Sequence, residues 1–593
     1  MSRNLPEPLS LQSGLAALEL EDLAAVAERV GVQEELTSKA RLLASIPERL
    51  ADRNVVRRLV RELEGDAAKA LFVAAAAEKL LAAFGPSTLF RFGTTAPPSA
   101  AVSRGLLLPD AATGLYRAAA EILPHVHDEA AKFFASPVVE APPAAVTLEP
   151  ASAFRDAVAC WCYVIKNPIT LTQSGATPKR ALAKVSPLLE VAEEEAPLAP
   201  ILERFGYGRL ELLAEDLELR GALARDDGEL RAAGWLSGDL QRAEADFNAE
   251  LARAVVEADE TGGALIAAYS WALSPPGQWR DAAGFIENAR RVAPGANEVA
   301  IYRALCALFV TGAVAAGVAD DGSLRVGRVA EPEELKTPPA RPAEAEFLLG
   351  GNFELKVPYD LPTDTRLKLE AFAEQTGGGR FLSYRISKST FYRALDAGVD
   401  VNEVLAFLEE RVSRPTPQNV AFSLRDWAQQ YGTVSFYDRL VVAADKAEKA
   451  DEIANLPTVA PYVKGRRELH AVEIAPKDYA AVRDALTSAG YLPRSLRGEE
   501  KAGVSPRALF DAASRRTDVA APARELEERA AAVVEFALEH GRPLKLWLEG
   551  EAEPREVKPR KITVYRGLAY LHAEGDGERA RIPLADVVRA TFA

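Results

Sequence analysis

A six-residue pattern, Asp-Asp-Gly-x-Leu-Arg, occurs twice, in "ARDDGELRAAG" (Ala224–Gly234) and in "VADDGSLRVG" (Val318–Gly327). Asp-Asp-Gly between apolar neighbours is hairpin chemistry, because Asp and Gly tolerate the positive φ that a tight turn between antiparallel strands demands. Each copy follows a similar context, "RFGYGRLELLAEDLELRGALA" before the first and "NEVAIYRALCALFVTGAVAAGVA" before the second. In both, an apolar helix gives way to a Gly and a short β-like run. A helix feeding a two-stranded hairpin is the C-terminal half of a winged helix, so the repeat predicts two such units in tandem. Two carboxylates at the tip of each hairpin would meet like charge on a phosphate backbone. The turns therefore mark the fold, whereas Arg231 and Arg325 on the returning strands are free to reach DNA.

The chain has 593 residues, which predicts three to six domains. With 48% hydrophobic and 26% charged residues it reads as ordinary globular protein. A net charge of −15 and a pI near 5.2 argue against indiscriminate coating of nucleic acid and leave room for local basic faces. The three cysteines include Cys160 and Cys162 in "VACWCYV", too close for an easy disulfide and without a C-x-x-C partner, and they read as buried thiols. The absence of an apolar leader and of a membrane-length apolar run predicts a cytoplasmic protein without a membrane partner.

Toward the N-terminus, Leu20, Leu23, Ala27 and Val30 recur at helical spacing before Gly31, and Thr37 is placed to cap a helix carrying Lys39 and Arg41. The pair resembles the helix-extended-helix SAP module. Arg53, Arg57, Arg58 and Arg61 follow on a short helix, read as a solvated face rather than a DNA contact.

Among the stretches without acidic residues, in a chain that holds 86 of them, two carry clustered cations. From Ala157 to Leu189 there is no Asp or Glu; Thr177 and Pro178 suit the start of a helix on which Lys179, Arg180 and Lys184 precede inward-facing Leu182, Val185 and Leu189. Phosphate contact and a merely soluble helix are both consistent with these cations. The second window, "TGGGRFLSYRISKSTFYR" (Thr376–Arg393), interleaves Arg380, Arg385, Lys388 and Arg393 with Tyr384, Phe391 and Tyr392. Around it, "NFELKV" alternates Phe353, Leu355 and Val357 as a half-buried strand, a helix starts near Thr363, and "YRIS" gives another strand. Ser387, the Asp400/Glu403 capping box and Ser423 mark three helix starts, and "TVSFYDRLVV" closes the unit as strand or hairpin.

The succession "NFELKVPYDLPTDTRLKLEAFAE", "YRISKSTFYRALDAGVDVNEVLAFLEE" and "PTPQNVAFSLRDWAQQYGTV" resembles the helicase-associated, damage-recognition-like domain beside XPB-type DNA-repair helicases, over about Phe347 to Ala444. Bacterial proteins of this kind also occur without a motor, and this chain is similar to those. "PITLTQSGATPKRALAKV", "GWLSGDL" around Trp235 and Leu236, and "AIYRALCALFVTGAV" resemble the winged-helix regions that precede the domain in them, and "ELHAVEIAPKDYAAVRDALTSAGYLP" resembles the small segment that follows it. The C-terminal stretch resembles a WYL-type SH3-like barrel, with Trp547, Tyr565, Arg566, Tyr570, Arg579 and Arg581 on its strands, although the naming triplet is absent. Lys558, Arg560, Lys561 and Arg566 cluster there in a third acid-free stretch, Val557 to Ala573.

Together these features predict an α+β, mostly helical, multidomain chain. Its parts are a SAP-like and winged-helix-like N-terminal domain (1–135), winged-helix-like domains at 150–245 and 246–340, and the helicase-associated domain at 345–450. A small α/β segment at 451–505 and a helix with the SH3-type barrel at 506–593 complete it. No phosphate loop, G-x-S-x-G or H-E-x-x-H occurs; "TGGGR" lacks the Lys-Ser/Thr pair, and His125 with His127 in "PHVHDEA" reads as a surface turn. The expectation is a protein that is not an enzyme and needs no cofactor or metal: a DNA-binding accessory factor of repair or processing, with a helicase or nuclease as partner. Duplex, forked and single-stranded DNA all remain open. The competing readings are a winged-helix transcription regulator with a C-terminal sensor, and a protein-interaction scaffold.

Overall fold

The computed structural model describes residues 5–32, 38–173, 177–195, 197–226, 228–233, 240–336, 346–379, 381–437, 441–468, 470–495, 544–548, 555–565, 568–575, 578–583 and 587–592. Thr37, Trp235, Leu236, Arg380 and Arg566 lie outside the described residues. The fold is α+β and about 52% helical, with several small sheets. No helix among the described residues is long and apolar enough to cross a membrane.

The N-terminal part runs α1 (Leu11–Ala16), α2 (Leu20–Val30), α3 (Lys39–Leu50), α4 (Arg53–Arg61), α5 (Gly65–Phe84), α6 (Pro86–Phe92) and α7 (Ser99–Val102). The hairpin β1 (Leu108–Asp110) and β2 (Leu115–Arg117) and then α8 (Leu123–Phe133) follow. α2 buries Leu23, Ala27 and Val30 as the spacing predicts, with Val26 added, while Leu20 at its start is exposed; it stops at Gly31, whose φ of 81° supplies the left-handed cap. Asp52 caps α4 through the Asn54 amide. The arginines of α4 face their own chain: Arg57 and Arg61 each reach Glu129 of α8 at 2.7 Å, and Arg53 pairs with Asp128 at 2.9 Å. "PHVHDEA" is helical in α8, not a turn, because Pro124 sits in the first turn, where no intrahelical N–H is needed.

Two groups on α8 make the fold acid-sensitive. Burial pushes His127 down to about 4, helped by the charge of Lys79, and its Nδ1 lies 2.7 Å from the Tyr269 hydroxyl. Burial alone would raise the Glu129 carboxyl, and hydrogen bonds from Lys132, Arg61 and Arg57 overcome it and hold it down at about 2. Both pKa values lie below the ordinary 6.5 and 4.5, so the unfolded chain takes up protons before the folded one does. Stability should therefore fall from pH 6.5 to 4 as the unfolded state gains a proton at His127, and again from 4.5 to 2 at Glu129. Each step costs at most about 3 kcal/mol. Denaturant unfolding across this range checks it: Glu129→Gln should remove the lower limb and His127→Phe the upper one.

The repeat read from the turns is a repeat of wiring. The first copy is α9 (Ser152–Lys166), β3 (Ile169–Thr170), α10 (Lys179–Leu182), α11 (Leu198–Phe205), α12 (Arg209–Leu219), β4 (Leu223–Asp226) and β5 (Glu229–Ala232). After α13 (Leu240–Glu257), the second is α14 (Gly263–Leu273), β6 (Trp279–Asp281), α15 (Ala282–Val292), α16 (Glu298–Val310), β7 (Val314–Val318) and β8 (Leu324–Arg328). Both end in a three-stranded sheet in which the early strand pairs with the last, β3-β5-β4 and β6-β8-β7. Gly228 and Gly322, at φ 75° and 79°, make the hairpin turns.

β9 (Leu348–Leu349), β10 (Glu354–Pro358), α17 (Thr363–Phe372), β11 (Glu374–Gly377), β12 (Phe381–Arg385), α18 (Lys388–Asp396), α19 (Val401–Arg411) and α20 (Gln418–Gln430) follow. They build an antiparallel sheet in the order β11-β12-β10-β9. Ser387 with Thr390, and Asp400 with Glu403, close capping boxes on α18 and α19. Ser423 lies inside α20, which starts earlier because Pro417 ends the extended chain before it and Val420 belongs to its buried face. Phe353 leaves the strand alternation: at φ 67° it turns the chain and stacks on Trp427 with centroids 5.4 Å apart.

β13 (Val434–Tyr437) and β14 (Val441–Ala444) form the hairpin expected to close this unit. They join the next sheet instead, with β15 (Val463–Glu468), β16 (Ala471–Ile474) and β17 (Arg494–Ser495), in the order β15-β16-β14-β13-β17. α21 (Ala447–Asn455) and α22 (Tyr479–Ser488) complete a separate core around Val434, Val442, Ile453 and Val482. Before it, a continuous apolar core runs from Leu9 to Leu424. Chain length predicts separate cores, but α5 packs on α14 and α13 packs on both α9 and α16, so the units share theirs. The C-terminal strands β18 (Leu544–Leu548), β19 (Arg555–Tyr565), β20 (Leu568–Gly575), β21 (Glu578–Pro583) and β22 (Val587–Phe592) form a meander whose last strand returns beside the first, in the order β21-β20-β19-β18-β22. No pairing among the described residues closes it into a barrel.

Candidate nucleic-acid interface

The helix expected from Thr177 to Leu189 is a single turn, α10, followed by a 3-10 turn at Ser186–Leu188. Pro187 lies at the start of the 3-10 turn, where its missing N–H is tolerated. Val185 and Leu189 are buried as the spacing predicts. Lys179 opens α10, and Arg180 and Lys184 are exposed.

Of the acids after this window, Glu190 and Glu193 are partly buried, whereas Glu194 and Glu195 stay exposed. Arg155 holds Glu190 at 2.9 Å, the Leu210 amide donates to Glu193 at 2.5 Å, and the Ser186 hydroxyl donates to Glu194 at 2.5 Å. Burial pushes the Glu190 and Glu193 carboxyls above their ordinary range, against the pull of Arg155 on one and of the Leu210 amide on the other.

The second window docks on the first. In the turn between β11 and β12, the Gly378 amide donates to the Pro187 carbonyl at 2.8 Å and the Gly379 amide to the Leu189 carbonyl at 3.2 Å. Gln375 Nε2 donates to the Leu188 carbonyl at 2.7 Å. A Cβ on Gly378 would sit 1.9 Å from the Leu189 oxygen, so only glycine permits this approach. "TGGGR" is thus a docking turn that joins the two acid-free windows.

Beneath the joint, a buried polar network ties α9 to α17 and β12. Lys166 Nζ reaches Glu370 at 2.5 Å and the Ala373 carbonyl at 2.7 Å, and the Tyr384 hydroxyl donates to the other Glu370 oxygen at 2.7 Å. Arg366 donates to the Arg155 carbonyl and to Gln375 Oε1, at 2.9 and 2.8 Å. Arg209 of α12 pairs with Asp156 of α9, which also accepts the Glu190 amide at 3.1 Å. Sequence reading singled out only Tyr384, as an aromatic among the cations, and it is buried here; the signal for the others was Arg366 and Glu370 at helical i, i+4 spacing.

The remaining cations divide by environment. Arg385 is exposed and pairs with Glu354 at 2.6 Å across the sheet, and Arg393 is exposed on α18. Lys388 is committed to the protein, donating to Gln430 Oε1 at 2.9 Å and to the Gly490 carbonyl at 3.0 Å. Lys558, Arg560 and Lys561 are exposed on β19, a separate sheet, where Arg560 pairs with Glu574 at 2.6 Å. Trp547 lies in β18, Tyr565 in β19, Tyr570 in β20, and Arg579 and Arg581 in β21.

The helices that precede the two hairpins bury much of their surface. α16 buries Ile301 and Ala304 through Val310, and α12 buries Leu210, Leu212, Leu213 and Leu217. What α12 leaves partly open includes Glu211, Glu215 and Glu218. Arg303 of α16 pairs with Glu215 of α12 and lies over the Tyr207 ring at 5.3 Å, locking the two helices together. On the returning strands, Arg231 pairs with Glu229, and Arg325 donates to the Glu140 carbonyl and lies near Asp281 and Asp321.

The three cysteines are buried free thiols, as the sequence predicts. Burial pushes Cys160 and Cys306 up to about 12 and Cys162 higher still, so none supplies a thiolate at neutral pH. Among the described residues no group of three His, Cys, Asp or Glu side chains is arranged to hold a metal ion.

With this geometry in hand, comparison with known proteins adds one family. Residues 347–468 match the family described as helicase conserved C-terminal domain. A search of the curated proteins finds no match. Among solved structures, the chain is similar to proteasome accessory factor B/C (PafBC) of Arthrobacter aurescens, at 12% identity over 88% of this chain and 84% of that one, with a TM-score of 0.11.

Proposed function

We propose that this protein is a non-enzymatic DNA-binding accessory factor of DNA repair or processing. It grips the sugar-phosphate backbone where the 179–189 and 376–393 segments meet. The observation that carries this reading is the docking of one acid-free window on the other through Gly378 and Gly379, beside exposed Arg180 and Lys184. Backbone contacts fix register and carry no base information, so the binding is directed by DNA form.

In this reading the two repeats are winged helices, with α12 and α16 in the recognition position and the Asp-Asp-Gly turns as wing tips. The buried Arg209 and Leu210 at the start of α12, and its glutamates, weigh against base reading by that helix, because a recognition helix must present its N-terminal side chains to base edges, whereas α16 starts with exposed Glu298 and Val299. The 345–450 region is an XPB-type helicase-associated domain, and the C-terminal meander belongs to a WYL-like domain. The matched segment's four-stranded sheet is antiparallel, unlike the parallel sheets that hold nucleotide phosphates at their strand ends, and the sequence has no phosphate loop. Work on DNA then falls to a helicase or nuclease partner.

Fluorescence anisotropy with duplex, single-stranded and forked DNA at two ionic strengths tests this. Binding to at least one form should weaken steeply with salt, at roughly 0.9 log units per log unit of salt for each duplex phosphate neutralised. Failure to bind all three would remove the reading.

A further inference from the structure

One face of the sheet β11-β12-β10-β9 covers the core through Gln375, Tyr384, Leu355, Leu382 and Val357. The opposite face is uncovered. Register sets Phe381 beside Pro358, and Lys356 between Ser383 and Leu348; Arg385 lies between Glu354 and Glu374. Phe381 is 58% exposed. The strand alternation that buries Leu382 and Tyr384 turns it outward.

One exposed cation outside the Arg385 row shares its face, and a basic segment leads into the turn docked nearby. Lys356 is exposed one strand over, and Phe381 follows directly on the glycine turn that docks on Pro187 and Leu189, at the margin of the segment that carries Arg180 and Lys184. The acids of this face, Glu354 and Glu374, are confined to the Arg385 row. Every nucleobase offers a π-face to an aromatic ring, whereas the bases of a duplex are already stacked on one another.

We infer that the uncovered sheet face binds single-stranded nucleic acid, with one base stacked on Phe381 and the backbone passing between Lys356 and the 179–184 turn. This deepens the DNA-binding reading and rests on it. An exposed aromatic beside a cation recognises a strand without regard to sequence, as an accessory factor at an opened fork requires.

The test uses the full chain with a fluorescent oligo-dT and a blunt duplex of equal length. Phe381→Ala should weaken oligo-dT binding about tenfold or more, in line with stacking worth roughly 1–3 kcal/mol per base. Phe381→Tyr, which keeps the ring, should stay within about twofold of wild type, and duplex affinity should not move in either variant. Lys356→Ala should lower the salt slope for the single strand by about 0.7. Equal oligo-dT affinity in wild type and Phe381→Ala overturns the inference, as does an equal loss for oligo-dT and duplex, which would report a general surface effect. Wild-type binding to duplex alone overturns it and leaves the DNA-binding reading standing; binding to neither of these nor to forked DNA removes both.

Discussion

Replacing Lys179, Arg180 and Lys184 together by alanine should weaken DNA binding about a hundredfold at low salt, and should flatten its log-log salt dependence by up to about three units. Exposed cations contribute of order 1 kcal/mol each to a phosphate contact, so three sum to about 3 kcal/mol, and each lost contact removes roughly 0.9 from the slope. Arg180 and Lys184 are exposed, so their loss leaves the core intact and melting should be unchanged. The companion variant lacking Arg380, Arg385 and Lys388 should lose less affinity, because Arg385 already pairs with Glu354 and Lys388 is held by Gln430 and Gly490. It should also melt earlier, since Lys388 ties α18 to α20 and to the chain after α22. Anisotropy titrations over a salt series, with melting curves alongside, measure both. Wild-type affinity in both triple variants would make this surface the wrong one.

Glu370→Ala should destabilise the protein by about 3–5 kcal/mol. Its carboxylate is 2% exposed and serves Lys166 and Tyr384 at once. Removing it strands the Lys166 ammonium, itself only 10% exposed, against α17 with the Ala373 carbonyl as its remaining partner. Breaking one side of a buried pair costs more than deleting both, so Lys166→Met combined with Glu370→Ala should recover much of the loss. Denaturant unfolding of the two single variants and the double variant gives the cycle. DNA affinity should fall with Glu370→Ala under conditions where the chain is still folded, because the network lies under the joint between the basic segments.

The parts of this fold that could be read from sequence are those fixed by local stereochemistry. Gly228 and Gly322 are needed where two hairpins turn at positive φ, and their recurrence exposed a repeated wiring. Ser387 and Asp400 satisfy helix amides within three residues, so both caps were legible. Local signals failed at two places. Helical spacing through Leu182, Val185 and Leu189 reads as one helix, but α10 ends at Leu182, and Val185 and Leu189 are buried around a 3-10 turn instead. Ser423 has a capping side chain but lies within a helix whose buried face already includes Val420.

The site depended on contacts that sequence spacing does not carry. Nothing in "TGGGR" announces that its amides pair with carbonyls of the 187–189 turn, and the burial of α12 against α16 follows from a core shared across units. The glutamates of α12 were visible at 211, 215 and 218, yet their meaning needed the helix to be placed. Phe381 was likewise visible, one position out of phase with the buried Leu382 and Tyr384.

The most direct test of the central claim is hydrogen exchange of the full chain with and without DNA. One bound oligonucleotide should slow exchange together in the 177–189 and 376–393 segments and leave α12 and the two hairpin turns unchanged. Protection at the hairpin turns 226–229 and 319–323, with both basic segments unaffected, would contradict the account.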